Sequence, residues 1–211
     1  AIQSQRTERY EVEVVLIDSG STDRTLEIAE AFGCRITFID RAEFTFGRSL
    51  NRGCDFARGD FLLFVSGDSV PVHEHWLEAL VAPLEEGCAY TYGRQVGRDS
   101  TKFSERLLFQ KYFPEMSRLP QEGFFCNNAN AALRRDVWTR FPFEESLTGC
   151  EDMFLGKQLV EAGLKLGYVA TAPVYHIHDE RWDQVLNRYE REALALQRIL
   201  PEVKLSFGDA L

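Results

Sequence analysis

Val12-Glu-Val-Val-Leu-Ile17 is a short, β-branched, almost continuous apolar run, and it passes straight into the polar turn Asp18-Ser-Gly-Ser-Thr-Asp23. A run of this kind reads as a strand buried on both faces, as in a parallel sheet. A helix is expected next, with apolar positions at Leu26, Ile28, Ala29, Ala31 and Phe32 and a stop at Gly33. The alternation then repeats. Residues 35–39 read as a strand ending in Asp40-Arg41, residues 46–57 as a helix, 60–65 as a third strand, 66–71 as a loop and 73–85 as a helix before Gly87. Strands alternating with helices of this length predict an α/β protein, its mainly parallel sheet flanked by helices. Such sheets bind ligands at the carboxyl ends of their strands. Each of those ends carries an aspartate here: Asp18, Asp40 and Asp68.

The second half is less regular. Strands are expected at 88–92, 128–133, 165–170 and 174–178, and helices at 102–112 and 151–161. A final helix spans 181–200, with Trp182, Val185, Leu186, Tyr189, Ala193, Leu196 and Leu200 on one apolar stripe. That stripe is expected to pack on its own domain, with membrane contact or a homodimer as alternatives. No repeat, low-complexity segment or linker divides residues 1–211, so a single domain is expected.

Composition narrows the function. Apolar residues make up 45% and charged residues 27%, and the net charge of −9 comes with no Lys/Arg-rich run. A duplex nucleic-acid partner is therefore not expected, because it needs a basic face. An acidic protein that handles a phosphorylated substrate calls for a mediating cation. The five cysteines form no C-x-x-C pair, so neither a zinc site nor a redox pair is signalled, and free thiols of a reducing cytoplasm are expected. The longest strongly apolar run, Phe61-Leu-Leu-Phe-Val65, is far short of the roughly 20 residues of a membrane span, and no signal peptide is visible. A cytoplasmic location follows, with peripheral contact at the inner membrane face left open.

Four groups carry chemistry, and each has a plainer reading beside it. Asp18 can accept from a nucleobase or ribose while Gly20 lets the chain turn closely; Asp18 to Asp23 is equally an ordinary strand-to-helix turn capped by Asp23. Asp68, in Ser66-Gly67-Asp68-Ser69, can hold a hard cation on a diphosphate, or simply close a turn. His176 and His178 fall on one face of a strand, which suits a metal or two half-buried structural imidazoles. Glu151-Asp152 opens a helix whose dipole favours carboxylates, as a reactive pair or as end charges. Neither a G-x-G-x-x-G nor a G-x-x-x-x-G-K-[ST] loop is present.

In this order on one α/β chain, these features resemble the inverting family 2 glycosyltransferases, which have the GT-A fold. The resemblance rests on Val15-Leu-Ile-Asp-Ser-Gly-Ser-Thr-Asp-Arg-Thr25, Phe44-Thr-Phe-Gly-Arg-Ser-Leu-Asn-Arg-Gly53 and Gly59-Asp-Phe-Leu-Leu-Phe-Val-Ser-Gly-Asp-Ser-Val-Pro71. It continues through Asn128-Ala-Asn-Ala-Ala-Leu-Arg-Arg135, Phe143-Glu-Glu-Ser-Leu147, Glu151-Asp152 and Val174-Tyr-His-Ile-His178, reaching about residue 195. It is nearest to bacterial members that build surface polysaccharides, rhamnosyltransferase-like ones among them.

The resemblance implies a nucleotide-binding half at 1–95, an acceptor and catalytic half at 96–180, and a helix and tail at 181–211. Asp18, Ser19 and Gly20 would shape the nucleobase pocket, and Arg48 would reach the diphosphate or nucleotide. Asp68 would be the remaining carboxylate of the family's D-x-D metal motif, whose first position is Ser66 here, with His176 and then His178 as further ligands of a Mn²⁺ or Mg²⁺ ion. Asp152 would be the general base, with Glu151 and Asn130 on the acceptor side. The donor would be a nucleoside-diphosphate sugar and the acceptor a saccharide or lipid-linked saccharide. Family members open on an apolar strand ending in a Pro-x-Tyr-Asn-like turn; residues 1–7 align with the end of the helix that follows it, so that strand is expected to be missing ahead of Val12. A nucleotidyltransferase and a non-catalytic nucleotide-sugar or glycan-binding remnant are the rival readings.

Overall fold

The computed structural model describes residues 1–99, 101–177 and 180–203. In chain order its elements are β1 (Val15–Asp18), α1 (Thr25–Ala31), β2 (Arg35–Phe38), α2 (Phe46–Phe56), β3 (Phe61–Val65), β4 (Ser69–Pro71) and α3 (Trp76–Glu85). There follow β5 (Tyr90–Val96), α4 (Phe103–Tyr112), β6 (Asn130–Arg134), α5 (Arg135–Arg140), α6 (Glu151–Glu161), β7 (Leu166–His176) and α7 (Trp182–Ile199).

The strands form two sheets. β1 and β2 pair in parallel, Val15 opposite Arg35 and Asp18 opposite Phe38. The other five run in the order β3-β6-β5-β7-β4. In that sheet only β5 and β7 are parallel; β3–β6, β6–β5 and β7–β4 are antiparallel. The expected α/β architecture is present, but its sheet is mixed rather than mainly parallel. A continuous apolar run reports burial on both faces, which says nothing of the neighbour's direction. β6 enters antiparallel between β3 and β5 after a long irregular stretch, and no local pattern in Phe61–Val65 foretells that partner.

Two further expectations change. Residues 165–170 and 174–178 read as separate strands, yet β7 is one strand whose pairing with β5 shifts between Gly93 and Gln95. Asn130 repairs that shift: its amide nitrogen donates to the carbonyls of Arg94 (3.1 Å) and Ala172 (2.8 Å), and its oxygen accepts from Trp76 Nε1 (2.8 Å). The apolar stripe of α7 is not its packed face: Trp182, Leu186, Tyr189 and Ala193 are exposed, Val185, Leu196 and Leu200 are half-buried, and the buried positions, Ala195 and Ile199, lie off the stripe.

The five-stranded sheet is covered on both faces. Tyr90, Leu133, Leu155, Leu159, Leu166 and Tyr168 form one core layer beside α6. Trp76, Leu80, Val81, Val169 and Val174 form the other beneath α3. Full burial of each such side chain contributes about 1.5–3 kcal/mol. β1 and β3 are not paired with each other, and a cleft of about 760 Å³ lies between them. Val12, Val14, Val15 and Ile17 line one wall, Phe61 to Val65 the other, and Trp76, Leu77 and Val81 also line it. Among the described residues no helix is long and apolar enough to cross a membrane, and the five cysteines are free thiols.

Candidate active site

The two sheets each contribute one part of the site. At the end of β1, Asp18 is only 4% exposed. Its carboxylate accepts from the backbone N–H groups of Gly20 (2.8 Å) and Ser21 (3.1 Å), closing the turn that sequence reading placed there. The hydrogen bonds from Ser21, then Gly20, hold this carboxyl below the usual aspartate range despite its burial. Gly20 has φ of +98°, a conformation that a side chain resists. Arg41 clamps the same turn, its Nε donating to the Ser19 carbonyl (3.1 Å) and its Nη2 to that of Gly20 (2.8 Å). Sequence reading passed over Arg41; its signal is only its place directly after the strand-end Asp40.

The second part lies on the five-stranded sheet. The β4–β7 ladder sets Ser69 opposite His176, and the Asp68 carbonyl accepts from Ile177 N–H (3.1 Å). Asp68 Oδ1 consequently stands 3.2 Å from His176 Nε2 and 2.5 Å from Ser66 Oγ, which donates to it. Burial opposes ionisation of Asp68, but the bonds from His176 and Ser66 outweigh it and hold the carboxyl well below the usual range.

At the start of α6, Glu151 and Asp152 are both buried. Asp152 Oδ2 accepts from the backbone N–H of Asn128 (2.9 Å) and Oδ1 from that of Met153 (2.7 Å). Burial nevertheless pushes both carboxyls up out of the usual range, and the charge of Asp152 adds to the rise at Glu151. A buried carboxyl poised nearer neutrality is what a general base requires. Cys150, just ahead of the helix, adopts the left-handed backbone conformation at φ 55°, which turns the chain into this pair.

One loop ties these groups together. Asn128 N–H holds Asp152, the Ala129 carbonyl accepts from Ser66 N–H (3.2 Å), and Asn127 Oδ1 accepts from Gln95 Nε2 (2.7 Å). Gln95 in turn reaches His176, its Oε1 lying 2.7 Å from Nδ1. Asp68, His176 and Asp152, chosen separately from the sequence, thus meet around residues 127–129. Asn127 and Gln95 were not foreseen as site residues.

One sequence-chosen residue serves elsewhere. Asn130 is fully buried and spends its amide on Trp76, Arg94 and Ala172, so it is an internal pin and not an acceptor contact. Arg48, its side chain 43% exposed, pairs with Glu145 Oε2 (3.0 Å) and donates to the Glu43 carbonyl (2.7 Å). The partner, Glu145, is 97 positions away and is invisible to local pattern. His178 lies outside the described residues.

The donor set, one carboxylate oxygen and one imidazole nitrogen, suits a divalent cation that accepts both, such as Mn²⁺. Asp68 offers a carboxylate oxygen and His176 an imidazole nitrogen, 3.2 Å apart. Among the described residues no group of three or more His, Cys, Asp or Glu side chains gathers to hold a metal. Mg²⁺-type sites need only one or two protein carboxylates, because phosphate oxygens and water complete the shell.

The comparisons with known proteins agree with this architecture. The chain is 29% identical over 191 residues to the O-antigen chain rhamnosyltransferase WbaN of Salmonella anatum, covering 84% of this chain and 60% of that protein. It is 27% identical over 216 residues to the O-antigen chain rhamnosyltransferase RfbN of Salmonella typhimurium, covering 95% and 68%. This chain therefore spans roughly two thirds of each relative's length. Among solved structures, S. aureus TarS 1–349 in complex with UDP-GlcNAc superimposes with a TM-score of 0.70 at 19% identity, over 99% of this chain and 62% of that one. The mannosyltransferase PcManGT from Pyrobaculum calidifontis in complex with GDP-Man and Mn²⁺ gives 0.69 at 18%, over 95% and 57%. These likenesses establish the GT-A-type fold. A model of the family described as Glycosyl transferase family 2 matches residues 1–141, most of the sequence, and the chain belongs to that family.

Proposed function

We propose that this chain is the catalytic part of an inverting glycosyltransferase that moves a hexosyl or deoxyhexosyl group from a nucleoside-diphosphate sugar to a saccharide or lipid-linked saccharide. The observation that carries the reading is the loop at 127–129, which holds the raised carboxyl of Asp152 and the Asp68–His176 pair on one support. The likeness to two O-antigen rhamnosyltransferases supports a deoxyhexosyl donor.

In the proposed reaction Asp152 takes the proton of the acceptor hydroxyl as its oxygen attacks the anomeric carbon. The bond to the diphosphate oxygen breaks on the opposite face and its electron pair leaves with the nucleoside diphosphate. Asp68 and His176 would hold a divalent cation, which supplies positive charge to the departing diphosphate. The Asp18–Gly20 turn, clamped by Arg41, would receive the nucleobase.

Asp152→Asn tests this reading, because the amide keeps the shape but accepts no proton. Transfer should fall by about 10²–10⁴-fold, while nucleoside-diphosphate affinity stays within a few-fold. Turnover near that of the unaltered protein would remove Asp152 from the role and pass it to Glu151. Glu145 is a poorer substitute, since hydrogen bonds from Asn51 and Arg48 hold its carboxyl below the usual range.

A lipid-linked acceptor would bring the enzyme to the cytoplasmic face of the membrane, where the exposed Trp182, Leu186 and Tyr189 of α7 offer contact. Co-sedimentation with anionic vesicles should weaken in a Trp182→Ala, Leu186→Ala double variant. Unchanged co-sedimentation, or none with the unaltered chain, would turn that face toward a second copy instead.

A further inference from the structure

Gln95 sits in β5, 3% exposed, between His176 and Asn127. The orientation of its amide follows from a group that has no choice. The backbone N–H of Ala129 points at Asn127 Oδ1 across 3.0 Å, and a backbone N–H only donates, so the Asn127 atom there is the accepting oxygen. That same oxygen is 2.7 Å from the Gln95 side chain, which therefore presents its NH₂ to Asn127. The Gln95 carbonyl is left facing His176 Nδ1 at 2.7 Å, and a carbonyl only accepts. Nδ1 must carry the hydrogen.

Nε2, 3.2 Å from Asp68 Oδ1, bears a proton bonded to Asp68 when the ring is an imidazolium, and in the neutral ring, which has one N–H, it bears the lone pair. Two acceptors do not hold each other at that distance without a proton or a cation between them. Phe109, stacked on the His176 ring with centroids 6.3 Å apart and planes 23° from parallel, restrains the ring in the plane that makes this possible. Were the Gln95 amide reversed, Nδ1 would accept, and Nε2–H would point into the place a cation must fill.

We propose that Gln95, oriented by Asn127, is a positioning residue that fixes the tautomer of His176 and so delivers the Nε2 lone pair to a divalent cation at Asp68. The assignment rests on the reading that Asp68 and His176 hold that cation. It adds two residues, 32 and 81 positions from their partners along the chain, whose work is to aim a ligand and not to touch metal or substrate.

Titration of the protein with Mn²⁺ alone, followed by the electron-paramagnetic signal of the free ion, separates the proposal from the reading beneath it. Asp68→Ala should abolish binding. Gln95→Met, close in shape but without the acceptor, should weaken it about 10–100-fold, the usual cost of losing a ligand's hydrogen-bond partner. Asn127→Asp keeps the oxygen that accepts from Ala129 and Gln95, so Gln95 stays oriented and binding should stay within a few-fold of the unaltered protein. An unfolding midpoint for Gln95→Met near that of the unaltered protein separates loss of the acceptor from loss of the fold. Equal affinity in Gln95→Met would overturn the positioning role while leaving the cation site standing. Unchanged binding in Asp68→Ala would instead remove the site itself. Long-range ¹⁵N spectra of the metal-free protein in mildly alkaline solution read the tautomer directly. They should show Nδ1–H for His176 in the unaltered and Asn127→Asp proteins and a shift toward Nε2–H in Gln95→Met. Nε2–H in the unaltered protein would overturn the proposal whatever the metal does.

Discussion

Asp18 at the end of β1 and Asp152 in the first turn of α6 are both buried, and the carboxylate of each accepts from two backbone N–H groups. Their acidities move in opposite directions. Asp18 lies low because the Ser21 and Gly20 donors prevail over burial. Asp152 lies high because burial prevails over the Asn128 and Met153 donors, and Glu151 lies beside it on the same turn. The backbone donors alone therefore do not set the acidity: the Ser21 hydroxyl adds most to the lowering at Asp18, and burial dominates at Asp152. Asp18 belongs to an open turn on a two-stranded sheet, whereas Asp152 lies against the core of the five-stranded sheet, where Cys126 Sγ donates to the Asp152 backbone carbonyl (2.9 Å). One carboxyl is held on the charged side of its ordinary range, the other on the protonated side.

Stability should register the difference with opposite signs. A carboxyl depressed in the folded state contributes stability above its ordinary pKa and loses it as pH falls through the folded value; Asp18 is of this kind. A carboxyl raised in the folded state contributes below its ordinary pKa and loses that contribution as pH rises through the folded value, as for the Glu151–Asp152 pair. Between the ordinary carboxylate range and neutrality, acidification should therefore stabilise the unaltered protein relative to Asp152→Asn by on the order of 2 kcal/mol. Relative to Asp18→Asn, the unaltered protein should lose stability only at lower pH. Urea unfolding midpoints across that range would show it. Parallel curves for Asp152→Asn and the unaltered protein would mean that burial does not govern the pair.

Binding sharpens the same contrast on a smaller scale. Asp18→Asn keeps an acceptor for the turn but gives up the charge, so nucleoside-diphosphate affinity should fall about tenfold, near 1.4 kcal/mol, with kcat little changed. Asp152→Asn should do the reverse. A loss of kcat in Asp18→Asn would place the β1 turn in the chemistry itself.

The contrast also explains what could be read beforehand. Asp18, Asp68, His176 and Glu151–Asp152 were legible because each marks a strand end, a strand face or a helix start, and those positions follow from local pattern. The direction of β6, the repair of the β5–β7 register by Asn130, and the pairing of Arg48 with Glu145 were not, since each depends on a partner far along the chain. Gln95 is the sharpest case. In Tyr90–Val96 it is one polar residue of a strand, and only the folded sheet sets it between Asn127 and His176.

The smallest predicted effect concerns how the Glu151–Asp152 pair is held. Cys150 precedes Glu151 at φ 55° and ψ 27°, a conformation that costs a residue with a side chain about 1–2 kcal/mol and glycine almost nothing. Its half-buried thiol, pushed up to about 12 by burial, makes no side-chain cap on the helix. Cys150→Gly should therefore leave stability unchanged or raise it by up to about 1 kcal/mol, the relief of strain offset in part by lost packing. Cys150→Val, branched at Cβ, should lower it by at least as much. The functional consequence runs the other way. A glycine relaxes the turn that aims Glu151 and Asp152, so kcat should fall a few-fold while donor affinity at the distant Asp18 turn holds. Denaturation midpoints and steady-state kinetics on both variants decide it. Equal stability of the Gly and Val variants would show that the left-handed turn at Cys150 is not what presents the pair.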